Sequence, residues 1–147
     1  MKEKCKITSS MEDYLEAILV LKEKNRVARV KDIAKELDVR TPSVNAALKT
    51  LVKAGFVAHE KYGYVELTVT GEKIARDVKN RHELLVCFLT DILMLDEDTA
   101  ALDACKIEHE MSKQTFKRLA EFIEYLKHGG KAGAEVECLK NFKDGLN

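Results

Sequence analysis

Val30-Lys-Asp-Ile-Ala-Lys-Glu-Leu37, Asp38-Val-Arg40 and Thr41-Pro-Ser-Val-Asn-Ala-Ala-Leu-Lys-Thr-Leu-Val-Lys-Ala-Gly55 follow one another without interruption. The first piece places Ile33, Ala34 and Leu37 on one side of a short helix. Asp38-Val39-Arg40 breaks that period. Thr41 then offers a side-chain oxygen to cap a new helix, and Pro42 stands at the first helical position, where its missing N–H costs no hydrogen bond. Val44, Ala47, Leu48, Leu51 and Val52 recur on one stripe, and Gly55 supplies a stop. Two short helices joined by a three-residue turn make a helix-turn-helix, whose second helix is the one that enters a DNA groove.

Beyond Gly55 the period changes from helical to alternating. Phe56–Glu60 and Tyr64–Val69, with Lys61-Tyr62-Gly63 between them, predict a two-stranded wing. Upstream, Ser10 is positioned to cap a helix from about Met11 to Lys24, with Asp13 in its first turn and Tyr14, Leu15, Ile18, Leu19 and Leu21 on its apolar face. Downstream, Thr70 is expected to cap a long helix from Gly71 to Leu93. Asp96 opens another that reaches Met111, and Ser112 opens a third that runs through Tyr125. Gly129-Gly130 and Gly133 break the pattern, which leaves a weakly structured tail from about 129 with one short helix near Val136–Phe142. The expected fold is mainly α: a winged helix-turn-helix domain over residues 1–70, then an all-helical domain over 71–147.

The 147 residues are 46% hydrophobic, enough for a real core, with a single Pro and no Trp. No run approaches the ~20 apolar residues of a membrane span. The charged N-terminus, followed by no apolar segment, predicts a cytoplasmic protein. Net charge is zero but uneven: residues 1–70 carry 13 Lys/Arg against 10 Asp/Glu, and residues 71–147 carry 12 against 15. A mildly basic half joined to an acidic one fits a nucleic-acid partner for the first half. Cys5, Cys87, Cys105 and Cys138 form no Cys-x-x-Cys pair, so free thiols are expected. His82-Glu83 begins like a zinc-protease helix, but Val86 stands where the second His belongs. With no phosphate loop and no nucleophile elbow, the sequence does not read as an enzyme.

On the second helix, Thr41, Pro42, Ser43, Asn45 and Lys49 are the positions expected to face duplex DNA. Ser43 and Asn45 can hydrogen-bond base edges or phosphates. Arg29 and Arg40 flank this reader, and Lys61 and Tyr62 at the wing tip would lie along the backbone or minor groove. A small helical domain with a hairpin used for protein contact is the plainer alternative.

A second pattern lies in Cys105-Lys-Ile-Glu108-His109. Spacings of three and four share one helical face, so a thiol, a carboxylate and an imidazole point the same way. Asp13 and Glu16 share a face of the first helix, and His82 lies midway along the long one. If those helices pack together, one pocket could receive all six donors. That set is too rich in oxygen and nitrogen for a closed zinc site and suits Fe2+ or Mn2+. Singly, each has a simpler reading: Asp13 as a first-turn acid, Glu16 and Glu108 as solvated charges, Cys87 as core packing.

Taken in order, Ser10-Met-Glu-Asp13-Tyr-Leu-Glu16, the winged helix, Arg81-His82-Glu-Leu-Leu85 and Ile107-Glu108-His109 resemble the DtxR/MntR family of metal-dependent repressors, over about residues 8–126. The resemblance is to the short, manganese-responsive branch, which lacks an SH3-like domain. It implies that Asp13, Glu16, His82, Glu108 and His109 stand at that branch's ligand positions. Cys105 stands where that branch has Glu and the iron branch has Cys, and Asp13 where the iron branch has Met. Two ancillary iron-branch ligand positions hold Val86 and Ala101, which cannot coordinate. The implied cofactor is Fe2+ or Mn2+, with the thiol favouring Fe2+, and Co2+, Ni2+ or Zn2+ able to substitute in vitro. The resemblance also implies a homodimer through the last two helices, with Leu102, Ile107, Phe116, Leu119, Phe122, Ile123 and Leu126 as packing candidates. The implied partner is operator DNA near metal-uptake genes; no membrane and no organic cofactor are implied. A winged-helix regulator that senses an oxidant or small ligand is the alternative.

Overall fold

The computed structural model describes residues 6–59, 63–128 and 140–146; the side chain of His59 lies outside that description. Lys61, Tyr62, Cys5 and Cys138 also lie outside the described residues, as does most of the stretch expected to form a tail helix. Residues 140–144 are helical. The chain forms two compact units, residues 1–79 and 80–147.

The first unit opens with α1 (Ser9–Asn25), followed by a two-residue strand β1 (Ala28–Arg29), α2 (Val30–Glu36), α3 (Thr41–Lys53), β2 (Val57–His59) and β3 (Tyr64–Leu67). The wing has one strand more than the sequence predicts. β1 pairs with β3 in an antiparallel sheet of order β1-β3-β2, with Arg29 opposite Tyr64 and Ala58 opposite Glu66. Two residues are too few to show an alternating period. The core gathers Leu15, Ile18 and Leu19 of α1 with Ile33, Val44, Leu51, Phe56 and Val65.

The turn between α2 and α3 is built from backbone bonds. Asp38 N donates to the Lys35 carbonyl (3.3 Å) and Val39 N to the Ala34 carbonyl (2.9 Å), with Asp38 left-handed at φ 52°. The same closure ends α3: Gly55 N donates to Val52 O (3.0 Å) and Phe56 N to Leu51 O (3.0 Å), with Gly55 at φ 78°.

Three helix starts differ from the expected caps. α1 is capped by Thr8, whose oxygen accepts from Met11 N (3.2 Å), rather than by Ser10. This earlier start lets Ile7 and Met11 pack on the core. The residue flanking α3 is Arg40, whose side chain makes no cap; its carbonyl accepts from Ser43 N and Val44 N, and Thr41 is already helical. The long helix α4 (Val69–Cys87) is capped by Thr68 rather than Thr70. The Thr68 hydroxyl donates to the Gly55 carbonyl (2.8 Å) and accepts from Gly71 N (3.1 Å). α4 therefore starts hard against the end of α3. A Cβ on Gly71 would fall 1.9 Å from the Phe56 carbonyl oxygen, so no other residue fits without backbone movement.

α4 supplies residues to both units. It ends earlier than expected, in a π-helical turn, Phe88–Ile92. Thr90 Oγ1 donates to the Val86 carbonyl (2.9 Å), a side-chain bond that competes with the regular ladder. α5 (Glu97–Glu110) and α6 (Lys113–Lys127) follow, capped by Asp96 and Ser112 as their sequences predict. The second unit's buried apolar cluster is small: Leu85, Leu89, Ala100 and Ala104, with Val86, Phe88, Met111 and Leu119 against it.

Candidate functional site

In the second unit, α4 and α5 bring three potential ligands together. The donor atoms of His82, Cys105 and Glu108 all lie within 4.8 Å of one another. His82 Nδ1 is 2.8 Å from Glu108 Oε2. His109 Nε2 comes within 3.3 Å of Glu108 Oε1, near enough for an ion pair but not aligned as a hydrogen bond. Glu108 has no exposed surface, and its Oε1 has no hydrogen-bond partner. Arg81 Nη1 donates to the Glu108 backbone carbonyl (2.8 Å), which secures that turn of α5 to α4.

The three α5 residues share a face, as their spacing predicts, yet differ in depth: Glu108 is buried, His109 half-buried and Cys105 exposed. That gradient is invisible in the sequence. An orphaned, fully buried carboxylate oxygen beside a thiol and two imidazoles is a donor set that fits a divalent transition cation. Asp13 and Glu16 lie half-buried on α1 of the first unit, one turn apart. Val86 packs on the second unit's apolar cluster and Ala101 is exposed. Cys87 differs from Cys105: its thiol is pushed up by burial and then by Asp91, whose carboxylate accepts from Sγ at 3.3 Å.

Of the dimer candidates, Leu102, Ile107 and Phe122 are exposed, and Phe116, Leu119 and Leu126 half-buried. Ile123 is only 1% exposed and has almost no surface to offer a partner. In the first unit Arg40, Thr41, Pro42, Ser43, Asn45 and Lys49 are all exposed, while Val44 and Leu48 of the same helix face inward. Arg29 is exposed as well, and its Nη2 donates to the Tyr64 hydroxyl. Sequence reasoning missed Tyr64, because β1 gave no period to reveal the pairing.

Residues 6–65 match the family described as iron dependent repressor, N-terminal DNA binding domain, and residues 68–133 match iron dependent repressor, metal binding and dimerisation domain. The chain belongs to the DtxR/MntR family of metal-dependent transcriptional repressors. It is 38% identical over 122 residues to an uncharacterised HTH-type transcriptional regulator of Methanocaldococcus jannaschii, covering 82% of this chain and 98% of that one. It is 40% identical over 118 residues to the HTH-type transcriptional regulator MntR of Bacillus subtilis, covering 80% and 82%. Among solved structures, the manganese regulator SloR superposes with a TM-score of 0.72 at 30% identity, over 81% of this chain and 55% of that one. The chain thus spans about half the length of the solved DtxR/MntR-family structures it matches. Members of this family are transcriptional regulators, not enzymes. Among the described residues, no helix is long and apolar enough to cross a membrane.

Proposed function

We propose that this chain binds operator DNA as a homodimer when loaded with a divalent transition metal. His82, Cys105, Glu108 and His109 are the proposed donors of the second unit, and Asp13 and Glu16 those of α1. The observation that carries this reading is Glu108: a carboxylate with no exposed surface, one oxygen on His82 and the other without a hydrogen-bond partner. Such a group is costly to bury unless positive charge joins it.

When bound, the cation would add positive charge at Glu108, beside the His82 and His109 rings. The chain's own residues do the positioning. Arg81 holds the turn of α5 that carries Glu108, and Glu108 in turn orients the His82 ring. The Cys105 thiol shifts preference from Mn2+ toward Fe2+, with Co2+, Ni2+ and Zn2+ as substitutes in vitro. Asp13 and Glu16 belong to a helix of the DNA-binding unit, so their engagement would make that unit answer to metal supply. Leu102, Ile107 and Phe122, with Phe116, Leu119 and Leu126, offer the proposed dimer face. A two-fold dimer presents two α3 helices to half-sites one helical turn, or a multiple of it, apart. Operators near metal-uptake genes are the proposed targets.

The test is a paired measurement on chelator-stripped protein. Metal content and affinity for a duplex selected from a random-sequence pool are followed as Fe2+, under anaerobic conditions, or Mn2+ is added. Metal should tighten duplex binding by the wild type but not by Glu108→Ala or His109→Ala. An unchanged metal response in those variants refutes the site. Duplex binding indifferent to chelator would instead favour a regulator that senses an oxidant through the exposed Cys105 thiol.

A further inference from the structure

We propose that Tyr64 is a positioning residue that holds the Arg29 guanidinium as a phosphate contact at the foot of the wing. This rests on the DNA-binding reading above and adds to it a residue that makes the contact possible. The sheet register sets Arg29 of β1 directly opposite Tyr64 of β3. The guanidinium carbon lies 5.2 Å from the centre of the Tyr64 ring, within the range of cation–π attraction, and Nη2 donates to the phenol oxygen at 3.2 Å. Ring face and hydroxyl together fix both the plane and the rotation of the arginine fork.

Two further observations separate this pair from ordinary sheet packing. Arg29 is exposed, yet no carboxylate pairs with it among the described residues, whereas Arg76 and Arg118 are both neutralised by glutamates. One N–H is committed to Tyr64, and no other hydrogen-bond partner among the described residues takes the remaining donors of the planar fork, which can serve an oxyanion. An exposed arginine normally samples many rotamers and loses that freedom on binding; here the ring has already restricted it. Arg29 also stands immediately before α2, the first helix of the helix-turn-helix, on the edge strand of the wing sheet. An arginine held by Tyr64, with no carboxylate on it among the described residues, fits the phosphate backbone of a duplex, which positions a reader without specifying sequence.

The experiment uses the full chain, metal-loaded, and a duplex selected by the wild type from a random-sequence pool, with affinity measured across a range of salt. Arg29→Ala should weaken binding about tenfold and lower the salt slope by about one. Tyr64→Leu should weaken binding several-fold beside Arg29 and add nothing in the Arg29→Ala background. Tyr64→Phe, which keeps the ring, should recover most of the loss. Melting temperatures of every variant report the structural contribution. Wild-type affinity and slope in Arg29→Ala would overturn the proposal. So would a Tyr64→Leu loss of equal size with and without Arg29, since that marks packing alone. A wild type that selects no duplex under any metal sinks the DNA-binding reading and this inference together; a wild type that binds while Arg29→Ala binds equally well sinks only this one.

Discussion

The two units fill their interiors with different chemistry. In the first, Leu15, Ile18, Ile33, Val44 and Leu51 have no exposed surface, and no charged residue among those described is fully buried. In the second, the buried apolar cluster is two leucines and two alanines, and a fully buried position goes to Glu108. Apolar burial stabilises roughly in proportion to area, while an uncompensated buried carboxylate opposes folding. On the proposed reading, the first unit draws its stability from apolar burial, and the second should gain stability from a cation at Glu108. Equivalent large-to-small or charge-removing changes should have opposite consequences in the two.

The largest effect belongs to the first unit. Leu51→Ala removes a fully buried side chain at the closure of α3 and should cost about 2–5 kcal/mol, read by hydrogen exchange of α1 and α3 amides. The matching change in the second unit is Glu108→Leu. In metal-stripped protein it should be neutral or stabilising, because it removes a buried carboxylate's desolvation penalty while the His82 ring it leaves is 26% exposed and can hydrogen-bond water. The cost is instead expected in the loaded state. Metal at a hundred times its dissociation constant should stabilise the wild type by about 2.7 kcal/mol and leave Glu108→Leu unmoved. If Glu108→Leu destabilises the stripped protein as much as Leu51→Ala, the contrast between the units is wrong.

A smaller effect compares two left-handed residues, one per unit. Asp38 at φ 52° closes α2, and Met94 at φ 59° follows the π-helical turn. An aspartate tolerates that region through local hydrogen bonding, whereas methionine has no such relief. Met94 is also 47% exposed, so little packing is lost with it. Met94→Gly should raise stability by about 0.5–1 kcal/mol and Asp38→Gly by no more than a few tenths. Urea midpoints at constant slope check both; equal gains would show that the side-chain chemistry of Asp38 contributes nothing to its turn.

These contrasts mark what could be read from the residues. The helix-turn-helix was legible because its signals are local: the Ile33-Leu37 period, Pro42 in a first turn, and Gly55 at a left-handed stop. The shared face of Cys105, Glu108 and His109 was legible for the same reason, as a consequence of helical spacing. Depth was not. Nothing in the spacing distinguishes a buried Glu108 from an exposed Cys105, because depth depends on which helix covers the face. The contacts that set the wing and the start of α4 were equally hidden. Arg29 and Tyr64 are 35 residues apart, and Thr68 reaches 13 residues back to Gly55. Thr68 and Thr70 are equally good caps on paper; the Gly55 carbonyl selects between them.

The smallest predicted effect concerns charges that the first unit keeps at its surface. Glu23 of α1 accepts from Lys79 Nζ at 2.6 Å and lies 3.4 Å from Arg76 Nη1, while Arg76 Nη2 pairs with Glu72 at 2.7 Å. The Lys79 hydrogen bond is the main reason the Glu23 carboxyl sits below its ordinary value of 4.5; partial burial opposes it, and the Lys79 and Arg76 charges add to the lowering. A carboxyl depressed on folding stabilises the protein fully above its unfolded value, and that share is lost as pH falls through the folded value. Glu23→Gln should therefore cost under about 1 kcal/mol near neutral pH, less as salt rises, and nothing once both states are protonated in acid. A cost that persists in acid would mean that Glu23 acts through packing. The same salt series applied to metal stabilisation of the second unit should show much less screening, because there the charge is inside.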